Sequence, residues 1–155
     1  MAAILAMTFS CSGKALTEYL PRNEDEADII ALLIEYERAR KSFDLQGYLN
    51  CLHEKGLYHH AGRVMISKQK LADLLPEFWD GLRGGKRLFF PMCRESINGN
   101  WLVGFRIVDP HIKISGNTAD VETMYLNTVW RQMHYIPLIK ENSVWRISRL
   151  DWETK

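Results

Sequence analysis

Ile114-Ser115-Gly116-Asn117-Thr118-Ala119-Asp120-Val121 is the stretch from which the fold is read. A Ser-Gly-Asn turn between β-branched runs is a hairpin signal, because Gly and Asn tolerate the backbone angles that a tight reversal needs. Downstream of the turn, Ala119, Val121, Thr123 and Tyr125 share one face, and Asp120, Glu122 and Met124 share the other. That alternation predicts a strand with one buried side. Working outward, segments 87–97, 102–115, 118–131, 132–140 and 144–152 are rich in aromatic and β-branched residues. Asn98-Gly99 and Glu141-Asn142-Ser143 supply further turns, and Trp145 and Ile147 alternate with Arg146 and Ser148. Neighbouring strands should therefore pair antiparallel.

The periodicity changes upstream. Asn23-Glu24-Asp25-Glu26 reads as a capping box, with Glu26 reaching back to the cap. Ile29, Leu32, Leu33, Tyr36, Ala39 and Phe43 then recur at helical spacing, while Asp28, Glu35, Arg38 and Lys41 fall on other faces. Asp44 caps a second, short helix with the stripe Leu45, Tyr48, Leu49 and Leu52. Segment 57–66 reads as extended, with Gly62-Arg63 as its turn. Ser67 caps a third helix whose stripe is Leu71, Leu74, Leu75, Phe78, Trp79 and Leu82, ended by Gly84-Gly85. Pro76 interrupts that stripe and predicts a kink or break. The expected fold is α+β, with three N-terminal helices packed on a strongly curved antiparallel β-sheet.

At 155 residues the chain is long enough for one core, and no repeat or second domain is visible. The formal net charge is +1, with Lys and Arg scattered among acids, so the sequence shows no nucleic-acid footprint. Cys11, Cys51 and Cys93 form an odd set without metal-type spacing. Residues 1–9 are a short, mostly apolar run followed by Ser10-Cys11, which resembles a lipoprotein-type signal with Cys11 as the lipid attachment site. The run lacks a basic start, and Thr8-Phe9-Ser10-Cys11 lacks the usual aliphatic residue. On this reading residues 1–11 are the signal segment, 12–23 a tether and 24–155 the domain. The protein would be periplasmic or on the outer surface, touching the membrane only through its lipid. A cytoplasmic protein with a loosely docked N-terminus is the alternative.

Three pieces carry a family resemblance: Phe43-Asp44-Leu45 through Tyr58-His59-His60, the 114–121 hairpin, and Asn142-Ser143-Val144-Trp145-Arg146-Ile147. With the order of elements, they resemble the nuclear transport factor 2-like superfamily, including its SnoaL-like proteins. The resemblance implies a cone-shaped fold whose sheet wraps the helices around a hydrophobic pocket, and a homodimer formed through the sheet. The superfamily holds isomerases, cyclases and dehydratases beside modules without chemistry, so function rests on the site.

The resemblance sets His60, at the end of the first strand, where isomerase-like members carry a general-base Asp. An imidazole accepts a proton near neutral pH. Tyr36 falls where those members place an oxyanion-stabilising Tyr. Tyr58 shares the parity of His60, and Trp79, Phe90, Tyr125 and Trp130 are candidate ligand-binding aromatics; core packing is the competing explanation for each. Arg63, Arg94 and Arg106 are candidates to orient a ligand carboxylate. His59 and His60 point to opposite faces of a strand, which argues against a shared metal ion, and no motif calls for a cofactor. Three functions remain open: binding of a small apolar molecule, a lyase or isomerase abstracting a proton next to a carbonyl, and a dimeric protein-assembly module.

Overall fold

The computed structural model describes residues 13–60, 64–84, 88–90, 95–97, 104–126 and 131–150, with only the backbone described for His60, Val64, 88–90 and 95–97. The helices are α1 (Glu24–Ser42), α2 (Leu45–Asn50) and α3 (Lys68–Arg83). The strands are β1 (Leu52–His60), β2 (Val64–Ser67), β3 (Leu88–Phe90), β4 (Glu95–Ile97), β5 (Arg106–Ser115), β6 (Thr118–Leu126), β7 (Arg131–Glu141) and β8 (Val144–Leu150). Six strands form a curved sheet in the order β2-β1-β8-β7-β6-β5, and β3 pairs with β4 separately.

Local chemistry starts each helix. The Asn23, Asp44 and Ser67 side chains accept from the backbone N–H of Glu26, Gly47 and Lys70. α1 ends at Phe43 in the left-handed region (φ 55°), unusual for a bulky residue, and the Phe43 ring is packed edge-on to Trp79 at 5.9 Å. α3 runs through Pro76 without the expected break. Pro76 is exposed while Leu71, Leu75, Trp79 and Leu82 hold the opposite side in the core, so the carbonyl that loses its partner lies towards water.

The hairpin at Gly116 (φ 58°) forms as expected, and so does the one at Asn142 and Ser143, both left-handed. On β6, Ala119, Val121, Thr123 and Tyr125 are buried. Strands that follow one another in the sheet pair antiparallel as expected, and the one parallel pairing among the described residues, β1 with β8, makes the sheet mixed. Two features permit this. Pro137 has no N–H, and the β7–β8 ladder runs only from Glu141 to Leu138, with the Ser148 hydroxyl donating to the Pro137 carbonyl at 3.0 Å. Beyond it β8 pairs with β1 at Leu57 and Tyr58.

The β1–β8 register is irregular, since Leu52 faces Ile147 and Leu57 already faces Arg149. The surplus β1 backbone bulges, and the buried Tyr58 hydroxyl lies over it, 2.7 Å from the His53 carbonyl and 2.9 Å from that of Ile147. Gly56 makes room, because a Cβ there would lie 1.8 Å from that hydroxyl.

Two ties hold α1 and its approach to the sheet. Asp25 accepts from Lys140 Nζ at 2.6 Å and from Trp145 Nε1 at 2.9 Å. Glu26, 1% exposed, does not reach the Asn23 backbone; it accepts instead from the Arg22 backbone at 2.8 Å, the Arg22 guanidinium and the Tyr19 hydroxyl. The segment read as a tether is docked from Lys14 onward. Lys14 exchanges backbone and side-chain hydrogen bonds with Asp109, Ala15 bridges to Val108, and Leu16 is buried. Cys11 lies outside the described residues.

Two glycines should respond differently to an added methyl group. Gly56→Ala should lower the unfolding free energy by about 1–3 kcal/mol by overpacking against Tyr58. Gly84→Ala, at φ −73° and meeting only the backbone oxygens of Asp80 at 3.3 Å and Gly81 at 3.6 Å among the described residues, should change it by less than about 0.5 kcal/mol. Denaturant titration distinguishes them. Hydrogen bonds from Arg22 hold the Glu26 carboxyl below its ordinary pKa, despite the opposing effect of burial. Its stabilisation is complete above the unfolded value of about 4.3 and is lost as pH falls through the lower folded value. Unfolding measured between pH 6 and pH 2 should show a shallower acid loss in Glu26→Gln than in the wild type.

Candidate functional site

Ile29, Leu33, Tyr36 and Arg40 follow one another at steps of four, three and four, so α1 turns all of them inward. Arg40 is 8% exposed and Tyr36 is 2% exposed. Arg40 Nη1 donates to the Tyr36 hydroxyl at 3.1 Å, and its guanidinium lies over the Phe105 ring, 3.9 Å from the centroid. Cation–π attraction offsets part of the cost of burying this charge. Burial alone would lower the Arg40 pKa, but the phenols of Tyr36, Tyr48 and Tyr125 around it outweigh that effect, and the group stays charged.

The aromatic rings form a continuous wall. Trp79 of α3 meets Tyr48 of α2 edge-on at 5.3 Å, and Tyr48 lies 5.5 Å from Tyr36. Tyr36 meets Phe105 edge-on at 6.3 Å, and Phe105 meets Tyr125 of β6 at 4.8 Å. Tyr125 stacks on His134 of β7 at 3.9 Å, with 15° between their planes. The Tyr125 hydroxyl, on a residue 4% exposed, lies beside that of Tyr36 without closing a hydrogen bond of ordinary length. Burial pushes the pKa of Tyr48 and Tyr125 well above the usual phenol value, so both remain hydrogen-bond donors across the physiological range. Cys51 belongs to the packing: burial pushes its thiol up to about 12, and its Sγ lies 3.3 Å from the Gly47 carbonyl.

Of the residues singled out in the sequence, the structure brings Tyr36, Trp79 and Tyr125 together. Tyr58 is buried, but its hydroxyl is committed to backbone carbonyls at the β1 bulge. His60 ends β1 opposite Val64. Its side chain and that of Phe90 lie outside what is described, as do Trp130, Arg63 and Arg94 entirely. Arg106 is exposed. The residues not anticipated are Arg40, Phe105 and His134, together with Tyr48 in any role beyond the core. For Arg40 a signal was present, since it falls four residues after Tyr36, in phase with the apolar stripe.

No protein-family profile matches this chain, and no curated protein does. Solved structures do match. A protein of unknown function with a cystatin-like fold from Nostoc punctiforme superposes with a TM-score of 0.58 at 16% identity, covering 81% of this chain and 86% of that one. An NTF2-like protein with a cystatin-like fold from Novosphingobium aromaticivorans gives 0.52 at 16% identity, covering 81% and 79%. A ketosteroid isomerase-like protein from Erwinia carotovora atroseptica gives 0.50 at 18% identity, covering 82% and 93%. The fold is nuclear transport factor 2-like. At such identities the likeness speaks for the fold alone, and the nuclear transport factor 2-like architecture accounts for the order of elements read from the sequence.

The two inward phenols should respond differently to loss of their hydroxyls. Tyr36→Phe removes the acceptor of a buried charged donor and should cost about 1.5–3 kcal/mol. Tyr125→Phe removes a hydroxyl that makes no described bond and should be neutral or stabilising, within about 1 kcal/mol. Equal losses in chemical denaturation would contradict this assignment.

Proposed function

We propose that this domain binds a small, largely apolar molecule between its helices and the sheet, at the aromatic wall around Tyr36, Tyr48, Trp79 and Tyr125. The observation that carries this reading is the buried Tyr125 hydroxyl without a hydrogen-bond partner among the described residues. A buried hydroxyl left unsatisfied costs about 1–3 kcal/mol, and a Phe at the same place would avoid that cost. A ligand atom accepting from Tyr125 recovers it, while the rings of Trp79 and Tyr48 offer apolar area to the ligand body.

A second reading has one observation in its favour. By accepting from Arg40, the Tyr36 hydroxyl becomes a better donor towards a developing enolate, as a lyase or isomerase would use it, with His60 as the proton acceptor. In that case a bound ketone would exchange its α-protons with deuterated solvent, and His60→Ala would abolish the exchange.

Thermal unfolding of the full chain across a library of small hydrophobic compounds tests binding itself. A ligand at a hundred times its Kd adds about 2.7 kcal/mol, which raises the Tm by several degrees. Trp79→Ala should remove that rise. A library that leaves the Tm unchanged throughout would defeat the proposal.

A further inference from the structure

We propose that His53 is a proton-operated latch on the β1 bulge: its neutral ring holds the bulge closed by accepting the Lys55 N–H, and a proton on that ring nitrogen releases the segment from Glu54 to Leu57. The inference is independent of what the aromatic wall binds.

The ring is caught from both sides. Nδ1 lies 3.2 Å from the Lys55 backbone nitrogen, and Nε2 lies 3.1 Å from a Glu141 carboxylate oxygen in the β7–β8 hairpin. A backbone N–H can only donate, so Nδ1 must accept with its lone pair. The hydrogen of the neutral ring therefore sits on Nε2 and is donated to Glu141. His53 is buried, which leaves little water to replace a lost partner.

Protonation disturbs this arrangement at one place. An imidazolium carries hydrogen on both nitrogens, so a second N–H would face that of Lys55, donor against donor, while Nε2 keeps Glu141. The Lys55 amide has to turn away. Its surroundings allow that: Glu54, Lys55 and Leu57 are exposed, and between Leu52 and Leu57 β1 makes no ladder pairing with β8 among the described residues. The flanks stay fixed. The Ile147 N–H donates to the Cys51 carbonyl at 2.9 Å, and the Tyr58 hydroxyl holds the His53 and Ile147 carbonyls, so the change is confined to the bulge.

Charges of both signs lie around the latch. Besides Glu141 they are Glu54 and Lys55 of β1, Lys68 of α3 and Arg146 of β8. The Cys51 thiol and the Tyr58 phenol stay neutral, both pushed up by burial. Lys68 binds Glu54 and also donates to the Leu52 carbonyl at 3.1 Å. The bulge is thus a joint at which α3, the helix that carries Trp79, meets the sheet, and the latch sets proton binding at that joint.

Nuclear magnetic resonance of the full chain between about pH 8 and about pH 5, the span in which an imidazole changes charge, tests the latch. At the upper end the His53 ring nitrogens should show the Nε2–H tautomer. As the ring takes its proton, the Lys55 amide signal should shift with the same midpoint, and its hydrogen-exchange protection should fall about tenfold, the equivalent of one hydrogen bond. His53→Asn sets an amide oxygen near the Nδ1 position that accepts throughout this span, so Lys55 should stay protected in acid. An Nδ1–H tautomer at the upper end, a Lys55 amide indifferent to the ring titration, or the same loss of protection in the Asn variant overturns the proposal. Where that variant does not fold by circular dichroism, the tautomer and the shared midpoint in the wild type decide.

Discussion

Everything in this domain depends on how one face of α1 is buried. The helix is fixed at its start by Asp25, which takes hydrogens from Trp145 and Lys140 on the sheet, and along its length by Ile29, Ile30, Leu33, Tyr36 and Ala39. With the start fixed, the 3.6-residue period decides which later residues face the core. Arg40 cannot turn outward without carrying Tyr36 and Leu33 with it. The cation is thus placed inside by apolar residues upstream of it, and the aromatic wall is what makes that placement tolerable.

Arginine is suited to such a place in a way that lysine is not. Its charge is delocalised over a flat, weakly hydrated group that stacks on rings, whereas an ammonium is a strongly hydrated point charge. Phe105 supplies the ring and Tyr36 an acceptor. The neighbouring phenols of Tyr48 and Tyr125 stay neutral, because burial pushes their pKa well above the usual phenol value.

Much of the architecture was legible because it is written locally. Asn23, Asp44 and Ser67 announce helix starts by offering an oxygen to an orphan N–H, and Gly116 and Asn142 announce reversals by tolerating positive φ. The alternation through Tyr125 states which side of β6 is buried. What escaped was non-local. The parallel pairing of β1 with β8 joins segments almost a hundred residues apart and leaves no turn between them to read. Its enabling signs, Pro137 and the close approach of Gly56 to Tyr58, have meaning only once the partner strands are known. Within the candidate site, Tyr36, Trp79 and Tyr125 were found as aromatics on buried faces. Arg40 was passed over because an arginine near the end of a helix usually interacts with the terminal carbonyls and water. Only its phase relative to Tyr36 distinguishes it from Arg38, which pairs at the surface with Glu35 and Asp44.

The outer edge of the sheet is exposed to a different hazard. β5 is a terminal strand, and an open edge offers unpaired backbone groups to any passing chain. Lys14 and Ala15 lie along that edge. Asp109 bulges it at φ 51°, and the adjacent Pro110 withholds an N–H from it. The residues ahead of the first helix therefore act as a guard strip against self-templating. A chain trimmed to begin at α1 loses Leu16 from its core and at the same time bares a ready surface for strand addition, so solubility as well as packing depends on residues ahead of the first helix.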